Sequence, residues 1–367
     1  MQFIDLKTQY LKLKEEIDTR IHQVLDHGRF IMGPEIGEVE EQLAEYVGCK
    51  HCLTVSSGTS SLEIALRALD IGPGDEVITV PFTWISSAEV VLLVGAVPVF
   101  VDIDPKTYNI DVSQIEAKIT DRTKAILPVS LFGQMPDYSA INEIAQRHQL
   151  AVIEDGAQSF GATRDGQRSC GVTPIASTSF FPAKPLGCFG DGGALFTDDD
   201  SLATRMKAIR THGGIQRHHH PYVGTNGRFD TLQAAVLLAK LPSFQWEVEQ
   251  RGKIGARYSA LLSDVCEVPH IEAGNTHVYA QYTIRLNNRD EVAAHLKADG
   301  IPSAVYYPKC LHEQPVFEPF GSKLGDFPES EKASREVLSL PMHPFLSEQD
   351  QDKVVASVAN AVAKGAS

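Results

Sequence analysis

The stretch Ile175-Ala-Ser-Thr-Ser-Phe-Phe-Pro-Ala-Lys-Pro-Leu-Gly-Cys-Phe-Gly-Asp-Gly-Gly-Ala-Leu-Phe-Thr197 decides how the chain is read. Its two ends, 175–180 and 194–197, are short apolar runs that predict strands. Between them Lys184 stands between Pro182 and Pro185, and Gly187, Gly190, Gly192 and Gly193 follow. Prolines fix φ, and glycines let a backbone approach a ligand closely. Such a lysine is either a surface residue in a loop or an amine held in one place.

Outward from this turn the chain alternates. Cys52–Val55, Val77–Val80, Val97–Val101, Ala125–Val129 and Ala151–Glu154 predict strands. Helical patterns lie between them, as in Leu62, Ala65, Leu66 and Leu69, or Ile141, Ile144 and Ala145. The expected fold class is therefore α/β, a mainly parallel sheet flanked by helices. Upstream, helices are expected over 10–27 and 35–47. Downstream the spacing predicts helices over 202–211, 231–241 and 247–262, then strands over 279–286 and 303–307, a helix over 290–298 and a last one from Ser347. That change of texture predicts a large domain, 1–245, and a smaller C-terminal α+β domain, 246–367.

Bulk properties exclude several functions. A formal charge of −14 disfavours a nucleic-acid binder, though a local pocket can still oppose the global sign. The longest apolar run, Val90–Val101, is broken by Gly95 and Pro98 and is too short to span a bilayer. The opening residues lack a signal-peptide pattern, so a cytoplasmic protein is the expectation. Six cysteines are too few for a disulfide scaffold, and Cys49-Lys-His-Cys52 has no second CxxC to complete a zinc site. His218-His-His220 reads as a polar loop, since adjacent histidines cannot all face one ion. No metal is expected.

The chemistry-bearing residues fall at strand ends, where open α/β sheets gather ligands. Ser56-Ser-Gly-Thr-Ser-Ser61 lies between a strand and a helix, and suits either a phosphate or an ordinary N-cap. Asp155 ends a buried strand, where a carboxylate is costly without a cationic partner. A pyridinium nitrogen would serve, and so would a simple helix cap. Gln158 offers an amide and Ser179 a hydroxyl nearby. Phosphate cradle, ring-nitrogen acid and amine together fit pyridoxal 5′-phosphate better than a dinucleotide, for which GxGxxG is missing.

Five motifs carry a resemblance: Ser57-Gly-Thr-Ser-Ser-Leu62, Glu154-Asp-Gly-Ala-Gln-Ser159, the lysine stretch, Gly224-Thr-Asn-Gly-Arg228 and Tyr307-Pro-Lys-Cys-Leu-His-Glu-Gln314. In this order the chain resembles the DegT/DnrJ-type sugar aminotransferases of the fold-type I pyridoxal phosphate superfamily. The resemblance implies that Lys184 bonds the cofactor and then shuttles protons, that Asp155 keeps the pyridine nitrogen protonated, and that Gln158 meets the phenolic oxygen. It implies Trp84 on the ring face, Gly58, Thr59 and Ser179 on the phosphate, and Asn226 reaching that phosphate from a second subunit, hence a homodimer. Dehydratase relatives carry histidine at the lysine position, so Lys184 argues for transamination. The opening Phe3-Ile-Asp-Leu and the phrase Ser179–Cys188 are most similar to the subgroup acting on UDP-2-acetamido-2-deoxy-3-oxo-D-glucuronate. For such a nucleotide-linked keto sugar, Arg228 is the candidate for the carboxylate, and Tyr306 and Tyr307 for sugar or phosphate contacts or for sheet packing. Tyr306 departs from the family's usual histidine. The expected reaction is ping-pong: L-glutamate gives its amine, leaves as 2-oxoglutarate, and the sugar takes the amine. A transaminase for a 4-keto-6-deoxy hexose, or a non-catalytic sugar-binding protein, are the alternatives.

Overall fold

The computed structural model describes residues 1–365. The strands are β1 (His51–Val55), β2 (Glu76–Thr79), β3 (Val97–Phe100), β4 (Thr123–Ile126), β5 (Ala151–Asp155), β6 (Thr163–Arg164), β7 (Gln167–Arg168), β8 (Ile175–Ser179), β9 (Gly193–Thr197), β10 (Tyr282–Arg285) and β11 (Val337–Leu340). The helices are α1 (Leu6–Lys12), α2 (Lys14–His27), α3 (Pro34–Val47), α4 (Gly58–Ala68), α5 (Ser86–Leu93), α6 (Tyr138–His148), α7 (Asp200–Arg210), α8 (Thr231–Leu262), α9 (Arg289–Ala298), α10 (Pro328–Glu336) and α11 (Glu348–Gly365). A seven-stranded sheet runs in the order β1-β9-β8-β5-β4-β2-β3. Neighbours are parallel except around β9, which runs against both β1 and β8. The expected mainly parallel sheet is therefore present.

Apolar cores cover both faces, because successive strand residues point to opposite sides. Val152 of β5 joins a core with Ile78, Ile126 and Ile141, while Ile153 joins Leu53, Ile64, Leu66 and Leu195 on the other side. Ile17, Val39 and Leu43 from α2 and α3 pack with Leu237 and Phe244 of α8 and Phe180 and Phe196 of the sheet. A further core unites Tyr258 and Leu262 of α8 with Tyr282, Ile284, Leu338 and Val354.

Three expectations need correction. The helix expected over 10–27 is two helices broken at Leu13, whose ψ of 14° leaves the helical range. The pair expected over 231–241 and 247–262 is one 32-residue helix, α8. Pro242 removes one amide donor, but apolar faces on either side pin the helix to two cores. The expected change of domain at 245 thus falls inside a continuous helix. Residues 303–307 form no strand; only Ala304 bridges Ser339. The partner of β10 is instead β11, which follows α10 directly, without turn residues to announce it. No helix among the described residues is long and apolar enough to cross a membrane.

Candidate active site

A cleft of about 450 Å³ opens at the carboxyl ends of β1, β5 and β8. Ser57, Gly58, Thr59, Trp84, Asp155, Gln158, Ser179, Lys184, Tyr306 and Tyr307 all line it. Sequence positions 57 to 307 thus meet in one place because each sits just beyond a strand or on the loop crossing that edge.

One wall is the N-terminus of α4. Ser57 caps the helix, its hydroxyl accepting the Ser60 amide at 3.0 Å, which leaves the amides of Gly58 and Thr59 unused by the cap. The glycine is required by space: a Cβ at Gly58 would lie 2.8 Å from the Ser179 Cβ. The return strand presses equally close, since a Cβ at Gly193 would lie 2.6 Å from the Ser57 carbonyl carbon. The Thr59 hydroxyl pairs with Ser86 at 2.8 Å, and the Ser179 hydroxyl accepts the Phe181 amide at 3.2 Å.

Asp155 forms the floor. Its carboxylate accepts the Ser87 hydroxyl at 2.8 Å and the Ala157 amide at 3.2 Å. Burial pushes its pKa up, while these two donors and the charge of Lys184 pull it back. Burial lowers the pKa of Lys184, and Asp155 opposes that shift. The two attract without forming an ion pair within 4.0 Å among the described residues, so neither is tied up by direct contact with the other. Glu154, one residue earlier, faces away and accepts the Ser169 hydroxyl at 2.6 Å and the Cys170 amide at 3.0 Å. Burial lifts it to about 7.

The far wall is aromatic. The Gln158 carboxamide accepts the Phe132 amide at 2.8 Å and donates to the Tyr307 hydroxyl at 3.2 Å, which fixes its orientation. Trp84, 58% exposed, sits at the mouth with its ring centroid 6.3 Å from that of Tyr307. Tyr306 and Tyr307 thus face the cleft rather than a strand partner.

Asn226 and Arg228 do not line this cleft. Asn226 is exposed on a loop bridged to Thr211, and Arg228 is half-buried with an unpaired Nε. The same loop still reaches the cradle from behind, since Gly227 accepts the Ser56 amide at 3.0 Å. Ser87 is a residue that sequence reading missed. Its only signal is a serine pair, Ser86-Ser87, opening the helix after β2. Among the described residues no group of three or more His, Cys, Asp or Glu side chains is placed to hold a metal ion.

An amine and a buried acid thus share one cleft with a helix N-terminus whose glycine admits no side chain. This arrangement fits a phosphorylated, cationic aromatic ring. It defines the class: a lysine-centred group-transfer enzyme on an α/β sheet. Residues 11–359 match the DegT/DnrJ/EryC1/StrS aminotransferase family. The chain belongs to that family. It is 52% identical, over 98% of this chain and 100% of the relative, to a UDP-2-acetamido-2-deoxy-3-oxo-D-glucuronate aminotransferase of Pseudomonas aeruginosa. It is 47% identical, over 97% of each, to a protein of Geobacillus stearothermophilus named a pleiotropic regulatory protein. Among solved structures, NtdA of Bacillus subtilis with bound cofactor PMP superposes with a TM-score of 0.89, at 31% identity over 96% of this chain and 82% of that one.

Proposed function

We propose that this enzyme is a pyridoxal 5′-phosphate-dependent aminotransferase that moves the amino group of L-glutamate onto a nucleotide-linked keto sugar, UDP-2-acetamido-2-deoxy-3-oxo-D-glucuronate being the substrate of choice. The observation that carries it is the shared cleft of Lys184 and Asp155, in a chain 52% identical to an aminotransferase of that name. The Gly58 and Thr59 amides and the Ser179 hydroxyl would hold the phosphate, Asp155 the ring nitrogen, Gln158 the phenolic oxygen, and Trp84 would cover a ring face. The cofactor, when bound, supplies an electron sink for the carbanion at the reacting carbon.

Lys184 does the proton transfer. Burial lowers its pKa, which raises the share of free amine able to accept the α-proton of glutamate. The Ser87 and Ala157 donors favour the ionised form of Asp155 against the burial that raises its pKa, and an ionised Asp155 would favour a protonated ring nitrogen. Once 2-oxoglutarate leaves, the same amine returns a proton to the sugar carbon that takes the nitrogen.

Under this reading the enzyme is a homodimer in the cytoplasm, supplying precursors for surface polysaccharide. Asn226 and Arg228 lie outside the cleft of their own chain, which supports their serving the site of a second copy. There the Arg228 guanidinium would grip the uronate carboxylate through two parallel hydrogen bonds. The regulatory name of one relative raises a non-catalytic reading; the presence of both Lys184 and Asp155 supports catalysis.

The test is a glutamate bleaching assay on the yellow holoenzyme, followed by a panel of keto sugars. Lys184→Ala should lose both the visible band and turnover; sustained turnover in that variant excludes the mechanism. Arg228→Ala should cost a uronate roughly 10-fold or more in kcat/KM beyond its cost on the neutral hexose, the scale expected for a lost charge-assisted pair. Equal losses on the two sugars would remove Arg228 from carboxylate recognition.

A further inference from the structure

Between Thr231 and Trp246 the sequence of α8 contains one charged residue, Lys240. It is buried, amid Val236, Leu237, Leu238, Ala239 and Phe244 of the same helix, all of them in the apolar core. A lysine amine in such surroundings loses hydration, so an unbranched apolar residue would serve stability better. Lys240 makes no direct contact with an acid either. It forms no ion pair within 4.0 Å among the described residues, and Glu247, the nearest acid on its helix, has both oxygens taken by the Gln9 amide at 2.9 and 2.8 Å. What the ammonium does reach is a backbone carbonyl: Gly187, at 2.6 Å. It also lies 4.6 Å from the centre of the Phe189 ring.

Both contacts belong to the turn that carries Lys184. That turn folds tightly on itself, with the Lys184 amide donating to Phe181 and the Cys188 amide to Phe180, each at 2.8 Å. Gly187 has no room for a side chain, since a Cβ would lie 2.5 Å from the Pro182 carbonyl oxygen. A second tether from α8 comes from Gln233, whose side-chain oxygen accepts the Phe189 amide at 2.8 Å. The helix thus grips the turn at one carbonyl and one amide on either side of Cys188.

We propose that Lys240 is a positioning residue for the transamination, its ammonium clamping the Gly187 carbonyl so that the Lys184 amine is held in register with the reacting carbon. The proposal rests on the aminotransferase reading above. Its logic is that of orientation: an amine that must visit one atom before and after proton transfer tolerates little displacement, and about 1 Å of error can cost about 10²-fold in rate. Burial brings Lys240 down to about 8 against the pull of the Glu247 carboxylate, so the charged form of the clamp prevails below that pH. A local rule broken in the core, next to the catalytic turn, is where functional residues are expected.

The test compares wild type, Lys240→Met and Lys240→Gln as holoenzymes, with Gln233→Leu as an independent cut of the other tether. Four quantities are read: melting temperature, the pH midpoint of the visible cofactor band, the single-turnover rate of bleaching by L-glutamate, and KM for glutamate. Lys240→Met should melt no lower than wild type, bleach about 10-fold or more slowly, shift the band's pH midpoint, and leave KM within about twofold. Lys240→Gln, which restores a donor, should recover part of the rate, and Gln233→Leu should slow bleaching in the same way. A Lys240→Met enzyme with the wild-type band and bleaching rate overturns the clamp, as does one that melts far lower yet turns over normally per folded molecule. A wild-type protein with no visible band and no bleaching would overturn the aminotransferase reading itself, and the clamp with it; the two failures are therefore distinct.

Discussion

Replacing Ser87 by alanine removes one hydroxyl, and the structure says what that hydroxyl does. It donates to the Asp155 carboxylate at 2.8 Å in a buried setting. Its neighbour Thr83 is 3.3 Å from the Ser87 oxygen, with no hydrogen bond of its own to the acid to replace the lost one. A buried hydrogen bond to a charged group is worth about 1.5–3 kcal/mol. If that support is felt in the transition state, kcat/KM falls about 10- to 150-fold, at about 1.4 kcal/mol per tenfold. The pH dependence has a definite sign. Burial raises the acid and Ser87 lowers it, so its loss raises the Asp155 pKa further. Activity should therefore fail first on the acid side, with the acid limb of the kcat/KM profile moving to higher pH and the alkaline limb in place. Ser87→Thr, which keeps the hydroxyl, should retain both rate and profile. The assay is the glutamate half-reaction followed by absorbance from pH 5 to 9. A Ser87→Ala enzyme within twofold of wild type, with an unmoved acid limb, would refute the assignment of Asp155 as the ionised partner of the cofactor.

Gly58→Ala forces a Cβ to within 2.8 Å of the Ser179 Cβ, so the cradle must spread. Alanine is the better helix former by about 1 kcal/mol, so weaker cofactor binding, expected at about 10-fold in an absorbance titration, could not be charged to helix loss. Glu154 offers a stability test. Its folded pKa of about 7 stands above the ordinary 4.5, so its contribution is fully present below pH 4.5 and is lost as pH rises to about 7. The loss amounts to about 3 kcal/mol, and Glu154→Gln should flatten that part of the stability–pH curve in denaturant titrations. If Asn226 serves a second copy's cleft, mixing inactive Lys184→Ala with Asn226→Ala chains should restore one working cleft in each mixed dimer. A mixture no more active than Asn226→Ala alone would confine each site to one chain.

The sheet was readable because its signals are local. Apolar runs of four or five residues are bounded by Ser-Gly, Pro-Gly or Asp-Gly, and the period of two changes to 3.6 between them. The strand-end placement of Asp155 and the braced turn at Lys184 followed from the same punctuation. What escaped depends on contacts between distant residues. Nothing near Pro242 reveals that apolar residues on both sides will carry the helix through it unbroken. The hydrogen bond of Gln158 to Tyr307 spans 149 positions, and that of Ser87 to Asp155 spans 68. Val337–Leu340 was missed for the opposite reason: it starts where α10 stops, and no breaker separates helix from strand.

The unbroken run of α8 has a consequence for how the molecule comes apart. Leu237 and Phe244 belong to the core beside the lysine turn, while Tyr258 and Leu262 belong to the core around β10 and β11. Neither half of the helix can fray without uncovering a core, and no flexible linker insulates one melting event from the other. The N-terminal segment adds a stitch, with the Met342 amide donating to the Phe3 carbonyl at 3.1 Å. Two hydrophobic centres strung on one helix should unfold together, giving a single calorimetric transition instead of two.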